Sequence, residues 1–244
     1  MPAEGERVYD ILITNDDGID SDGIVRLAEA AARFGNVWVV APTVQNSAVS
    51  HSITLRHSIT VRPHDLPVEG VRAFSCSGTP ADCVRVAGLS IMPRIPDMVF
   101  SGINYGYNVA TDIQYSATAG AAFEAAFQKI HTIAFSEDAV EMHEVTDRYL
   151  EDIMAELIDK PLELNQIWNV NFPGCPLSKC GGVLYERKVS HDDFYKDHYI
   201  ETPLPDGKTR YTVEGVRHWE ASEGTDLKAI LDNFVSVGIA TNIS

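Results

Sequence analysis

Asn15, Asp16, Asp17 and Gly18 follow directly on the apolar run Val8 to Thr14, so two adjacent carboxylates stand where a buried strand should open into a loop. Two other runs end the same way. Val37 to Val40 leads to Gln45, Asn46 and Ser47, and Met98 to Phe100 leads to Ser101, Asn104 and Asn108. Carboxylate, hydroxyl and amide oxygens are the hard donors preferred by magnesium, manganese or calcium. A divalent ion on such donors keeps positions for water and for a phosphate oxygen, and it lowers the pKa of that water. Asn-Asp-Asp-Gly is also ordinary turn chemistry, and an aspartate before a helix is often only a cap. The position of these residues gives them weight, because ligands of open parallel sheets bind beyond the carboxyl ends of the strands.

The elements that must hold these loops are readable from periodicity. After Gly18, the residues Ile24, Leu27, Ala28, Ala31 and Phe34 mark one apolar helix face. The next apolar run, Val37 to Val40, makes a strand, helix and strand within about 30 residues, a βαβ unit that implies a parallel sheet. The alternating stretch Ile53 to Val61 predicts strands outside the parallel core. Thr79-Pro80 starts a second helix, with threonine as N-cap, proline in the first turn and Asp82 close behind. A strand at Met98 to Phe100, a small-residue helix over Ser116 to Gln128 and a strand at Thr132 to Phe135 continue the pattern. Beyond them lie a long amphipathic helix from Val140 to Ile158 and strands near Ile167 to Phe172, Val183 to Tyr185 and Arg210 to Val213. The stretch Ser190 to Lys208 reads as polar and turn-rich, and a last helix fits Thr225 to Phe234. The expected fold is α/β: a Rossmann-like, doubly wound, mostly parallel sheet over residues 1–135, then a β-rich and helical extension over 136–244 that elaborates the core and mediates oligomerisation.

Several other signatures fail. Asp20-Ser21-Asp22-Gly23 with Glu29 imitates the later positions of an EF-hand loop, but its first ligand position is Gly18 and a strand precedes it. There is no GxGxxG after a strand, no GxxxxGK[ST], no second histidine to complete a zinc helix at His143-Glu144, and no GxSxG. Ser47 and His51 lie four apart, but in a loop with little helical character, so His51 reads as a hydrogen-bonded structural residue.

Composition bounds the partners. With 45% hydrophobic and 22% charged residues among 244, the chain can bury a core. Its 19 Lys and Arg against 35 Asp and Glu leave a net charge of −16, which repels long nucleic acids while leaving room for a small phosphate ligand held by a cation or backbone N–H groups. The start MPAEGERVYD lacks an export signal, and nowhere do about 18 apolar residues run together, so a cytoplasmic protein without membrane attachment is expected. Cys76, Cys83, Cys175 and Cys180 form no CxxC pair and read as reduced structural thiols.

Taken in order, Ile11-Leu-Ile-Thr-Asn-Asp-Asp-Gly18, Val39-Val-Ala-Pro42, Ser47, His51-Ser-Ile-Thr54, Gly78-Thr-Pro-Ala-Asp-Cys-Val84 and Ser101-Gly-Ile-Asn104 resemble the successive motifs of the SurE survival-protein nucleotidases. Tyr115-Ser-Ala-Thr-Ala-Gly-Ala-Ala122 is similar to the family's YSGTVGAA stretch, with Ala117 and Ala119 in place of its Gly and Val. Asn169-Val-Asn-Phe-Pro173 resembles its NVNxP strand, and Gly224-Thr-Asp226 its GTD element. The resemblance spans residues 10 to 236. It implies a metal-dependent phosphatase of nucleoside 5′- and possibly 3′-monophosphates with one divalent ion, magnesium, manganese or similar, per subunit. By the same resemblance Asp16, Asp17, Ser47 and Asn104 are the metal ligands, Asn108 and Ser116 lie near the phosphate, and a C-terminal segment exchanges between subunits of a homodimer or homotetramer. Either Asp16 or Asp17 could act as general base. A haloacid-dehalogenase-type mechanism does not fit, since a second aspartate two positions after Asp16 is missing; a non-catalytic nucleotide or metal sensor would use the same loops.

Overall fold

The computed structural model describes residues 8–243. Tyr9–Thr14 (β1), Asp22–Ala31 (α1) and Gly35–Pro42 (β2) form the first βαβ unit. Val61–His64 (β3) and Arg72–Cys76 (β4) follow, then Pro80–Val86 (α2), Met98–Tyr105 (β5), Ala117–Phe127 (α3) and His131–Glu137 (β6). Glu144–Leu157 (α4), Gln166–Phe172 (β7), Val183–Arg187 (β8), Tyr195–Pro203 (β9), Thr209–Arg217 (β10), Asp226–Leu231 (α5) and Val235–Thr241 (β11) complete the chain.

Nine strands share one sheet in the order β3-β4-β2-β1-β5-β6-β7-β11-β8, and β9 and β10 pair apart from it as an antiparallel hairpin. From β4 to β7 every neighbouring pair is parallel; β3 runs antiparallel to β4, and β11 antiparallel to β7. The α/β, doubly wound expectation holds. Alternation along the strands builds three layers: Ile11 and Ile13 pack with Ile24 and Leu27 of α1 and Ile153 and Leu157 of α4, whereas Leu12 packs on the other face with Val84 of α2 and Ala121 of α3. Burial of both sheet faces explains why β1 and β2 are apolar over residues 11–13 and 37–41, while Asp10 near the start of β1 is met by Arg94 and Asn36.

The order in which strands are added to the sheet reverses at β1, since β2 lies on one side of it and β5 on the other, with Ile13 opposite both Val39 and Phe100. This switch point puts the carboxyl ends of β1, β2 and β5 on one edge around a crevice.

Four local expectations give way. Residues 53–60 form no strand. Thr54 is instead drawn to α2, its N–H and hydroxyl donating to Asp82 at 2.9 and 2.6 Å. Asp82 also closes a reciprocal capping box with Thr79, so the loop and the helix start are one unit. The long helix begins at Glu144, not Val140, and the last helix is shorter than expected, Asp226–Leu231. The stretch Ser190 to Lys208 contains the nine-residue strand β9, which is exposed along its length and therefore has no buried face to impose an alternating pattern. Residue 135 lies inside β6, and β7 and β11 extend the same sheet.

Candidate active site

Asp16 sits just past β1 and is only 4% exposed, yet it lines a cleft of about 820 Å³ with Ser47, Asn104, Asn108 and Ser116. Five of the six residues expected at the site thus share one cleft. Asp17 borders the adjoining cleft, where Gln45 also lies, and Tyr105 lines both.

Each side chain is held by a neighbouring element. The Thr118 hydroxyl, in the first turn of α3, donates to Asp16 Oδ1 at 2.5 Å. Asp17 accepts from the Tyr105 N–H at 2.9 Å and from Gln45 Nε2 at 3.4 Å; the same Gln45 amide reaches Ser47 Oγ at 3.0 Å. Asn46 N–H donates to the Asp16 carbonyl at 2.7 Å, binding the loop after β2 to the loop after β1. Asn15 ties off its own turn, its amide donating to the Gly18 carbonyl and to Ser21 Oγ at 3.0 and 2.7 Å.

Two glycines allow these loops to meet. Gly102 has φ +136, and a Cβ there would stand 2.2 Å from the Phe135 carbonyl oxygen, so β5 reaches Asn104 along a path that only glycine permits. Gly120 of α3 packs under the loop carrying Ser47, where a Cβ would lie 2.6 Å from the Ser50 carbonyl oxygen.

Asn108 is gripped on both sides. Its N–H donates to Asn171 Oδ1 at 2.8 Å, its carbonyl accepts from the Asn169 amide at 2.9 Å, and its own amide donates to Ser136 Oγ at 2.7 Å. Alternate residues of β7 therefore act as a clamp on a cleft residue, which is the structural content of the Asn-Val-Asn motif. Ser116 caps α3, accepting from the Ala119 N–H at 2.9 Å. That brings the N-terminus of an eleven-residue helix, with its free N–H groups and positive dipole end, to the cleft. Ala117 and Ala119 are fully buried and do not line the cleft, so the two departures from the family stretch fall behind its wall.

Burial governs the electrostatics of the two carboxylates. Burial pushes the Asp16 carboxyl up to about 7, the Thr118 hydrogen bond opposing and the Asp17 charge adding to the rise. Burial raises Asp17 too. Among the described residues no lysine or arginine pairs with either carboxylate, so their negative charges are uncompensated by side chains. Nor do three His, Cys, Asp or Glu side chains gather anywhere among those residues as a metal cluster. A divalent ion here would rest on two carboxylates completed by the Ser47 hydroxyl and the Asn104 amide oxygen, a hard, oxygen-only set suited to magnesium or manganese.

The decoys resolve as read. Asp20 and Asp22 are largely exposed and contact His64 and Arg26, respectively. His51 bonds Glu124 through Nε2 at 2.8 Å and belongs to the packing of α3. Sequence reasoning assigned no role to Thr118 or the Asn169–Asn171 clamp, although both lie within motifs it identified. It also missed the outer cleft wall, Asp193, Tyr195, Lys196, Asp197 and Tyr199, for which the exposed hairpin gives no periodic signal.

Comparison with known proteins places this architecture. A family model described as Survival protein SurE matches residues 11–193. A 5′-nucleotidase SurE of Clostridium botulinum is 38% identical over 231 residues, spanning 93% of this chain and 90% of its own. The 5′-nucleotidase SurE 1 of Thermus thermophilus is 40% identical over 233 residues, spanning 93% and 89%. The crystal structure of the SurE protein from Aquifex aeolicus superposes with a TM-score of 0.82 at 34% identity, covering 96% of this chain and 94% of that one.

Proposed function

The chain belongs to the SurE survival-protein family, and from that premise we propose that it is a metal-dependent nucleotidase, hydrolysing nucleoside 5′-monophosphates to nucleoside and phosphate. The observation that carries the metal dependence is Asp16: a carboxylate almost without solvent, without a cationic partner among the described residues, and lining the same cleft as the neutral oxygen donors Ser47 and Asn104.

In this reading Asp16, Asp17, Ser47 and Asn104 hold one divalent ion, magnesium, manganese or similar. Bound there, the ion supplies Lewis acidity toward a phosphoryl oxygen and a lowered pKa for water. The protein's own contribution is placement. Thr118 and Gln45 orient the two carboxylates, Ser116 and the first N–H groups of α3 offer donors to the phosphoryl oxygens, and Asn108 presents a fixed amide beside them. Such preorganised donors favour charge developing on the phosphoryl group, so an acidic protein can hydrolyse an anion.

Self-association as a dimer or tetramer is part of the same proposal. It draws support from the exposed apolar side chains of the hairpin, Val213, Val216 and Tyr211, and from nearby Trp219. Residence in the cytoplasm fits the metal and substrate proposed, and no helix among the described residues is long and apolar enough to cross a membrane.

The test is release of inorganic phosphate from 5′- and 3′-monophosphates of the common nucleosides, with magnesium, with manganese and in excess chelator. Hydrolysis of the 5′ esters that chelator stops supports the proposal. Metal-dependent binding without turnover would instead make the protein a sensor.

A further inference from the structure

The cleft has two chemically different halves. Its inner end gathers Asp16, Ser47, Asn104 and Ser116, which suffice for a phosphate and a cation. Its outer wall is made by the root of the β9–β10 hairpin, where Tyr195, Asp197 and Tyr199, on one face of β9 by strand alternation, line the cavity. A volume of about 820 Å³ is far more than a phosphate fills and is in the range of pockets that enclose a whole small organic ligand.

The two tyrosines differ in freedom. Tyr195 is engaged: its ring stands 4.7 Å from Phe194, and its hydroxyl accepts from Arg217 Nε at 3.4 Å. Gly215, opposite Asp197, leaves room for both side chains, since a Cβ there would lie 2.9 Å from Asp197 Oδ1 and 3.3 Å from Tyr195 Cδ1. Through Phe194, which packs on Tyr107, and through the Arg217–Asp138 ion pair at 3.1 Å, this root is fixed to the body of the protein. Tyr199 lies four residues farther along β9, meets only Tyr211 among the aromatic rings of the described residues, edge to face at 6.4 Å, and is 64% exposed. It is a large planar ring on the paired hairpin strand beyond that anchored root, with area open to the cavity.

We infer that Tyr199 is a specificity-determining residue that stacks on the nucleobase of the substrate, so that the hairpin selects nucleotides over other phosphate monoesters. The assignment rests on the nucleotidase reading for which end of the ligand is the phosphate. Stacking on an aromatic face accepts every base, which makes the hairpin a device for recognising a nucleoside and not a particular base. Among the described lining residues Asp112, Asp193 and Asp197 outnumber the cation Lys196, so the outer wall is net negative and suited to a neutral nucleoside over a second phosphate.

The experiment compares adenosine 5′-monophosphate with ribose 5-phosphate, which lacks the base, as substrates of the full chain. Tyr199→Ala should lower kcat/KM for the nucleotide about 10-fold, through KM, and leave ribose 5-phosphate within about twofold. Tyr199→Phe should keep the wild-type preference, and Ile200→Ala, on the opposite face of the hairpin, should change neither substrate. Equal losses on both substrates, or no loss on the nucleotide, would overturn the assignment. Calorimetric binding of adenosine in chelator gives an independent arm: Tyr199→Ala should weaken it about 10-fold, and a wild-type chain that does not bind adenosine would also overturn it. If wild type hydrolyses neither phosphate, the nucleotidase reading fails, while the adenosine arm still decides the tyrosine.

Discussion

The hydroxyl of Thr118, fully buried in the first turn of α3, donates to the carboxylate of Asp16 at the end of β1. This bond couples the helix whose N-terminus reaches the cleft to the carboxylate that would hold the metal. Thr118→Val keeps the shape and deletes the donor, leaving Asp16 without its side-chain partner. Manganese affinity, read by calorimetry, should fall about 10-fold, as for other side chains that orient a metal ligand, and Thr118→Ser should restore it. Unchanged affinity in the valine variant would remove Thr118 from the account.

Asp16→Asn and Asp17→Asn should each cut turnover at least about 100-fold, because a neutral amide cannot replace a ligating carboxylate charge. Steady-state phosphate release measures this. Asp20→Asn and Asp22→Asn, in the EF-hand look-alike, should leave both activity and calcium response at wild-type levels.

The same Asp16→Asn variant should be more stable than wild type in the absence of metal, in a pH-dependent way. Asp16 is raised from an ordinary 3.8 to about 7 by burial, so the folded state holds its proton where the unfolded chain has lost it. Metal-free wild type therefore loses stability relative to the variant as pH rises from about 4 to about 7, and the gap is constant above that. Paired melting curves across this range check the sign. Added manganese should raise the wild-type Tm more at pH 8 than at pH 5.

Asn171→Ala should separate phosphate positioning from metal binding. It removes the acceptor of the Asn108 N–H and leaves that group unsatisfied in a buried setting, which costs about 1–3 kcal/mol of stability. We expect kcat/KM to fall about 10-fold with manganese affinity unchanged, since Asn108 lies outside the proposed ligand set. A parallel fall in metal affinity would show that β7 supports the ligand loops as a whole.

The parts of the fold that were legible are those whose burial imposes a period. The centres of β1 and β2, residues 11–13 and 37–41, are covered on both faces and read as apolar runs, and α1 shows its stripe because one side packs on the sheet. Thr79 and Pro80 marked a helix start because capping is local chemistry. The chain around Ile53 misled because its alternation is real but its backbone is recruited by Asp82, a long-range partner no window contains. Of the hairpin only part of β10, Arg210 to Val213, was legible; β9 was not, because it is exposed throughout, although it supplies the outer wall of the cleft. At the site, residue types and strand ends pointed to Asp16, Ser47 and Asn104. The convergence of Asn169 and Asn171 on Asn108 depends on β5, β6 and β7 lying side by side, which is a property of the sheet and not of any segment.

The central claim is that one divalent ion on Asp16 and its neighbours makes the protein a nucleotidase. Chelator-treated protein, titrated with manganese while phosphate release from adenosine 5′-monophosphate is followed, tests it most directly. The account predicts no activity before the metal is added and a rise that saturates at one ion per chain, with Asp16→Asn silent throughout. Full activity in the chelated protein, independent of added manganese, would contradict it.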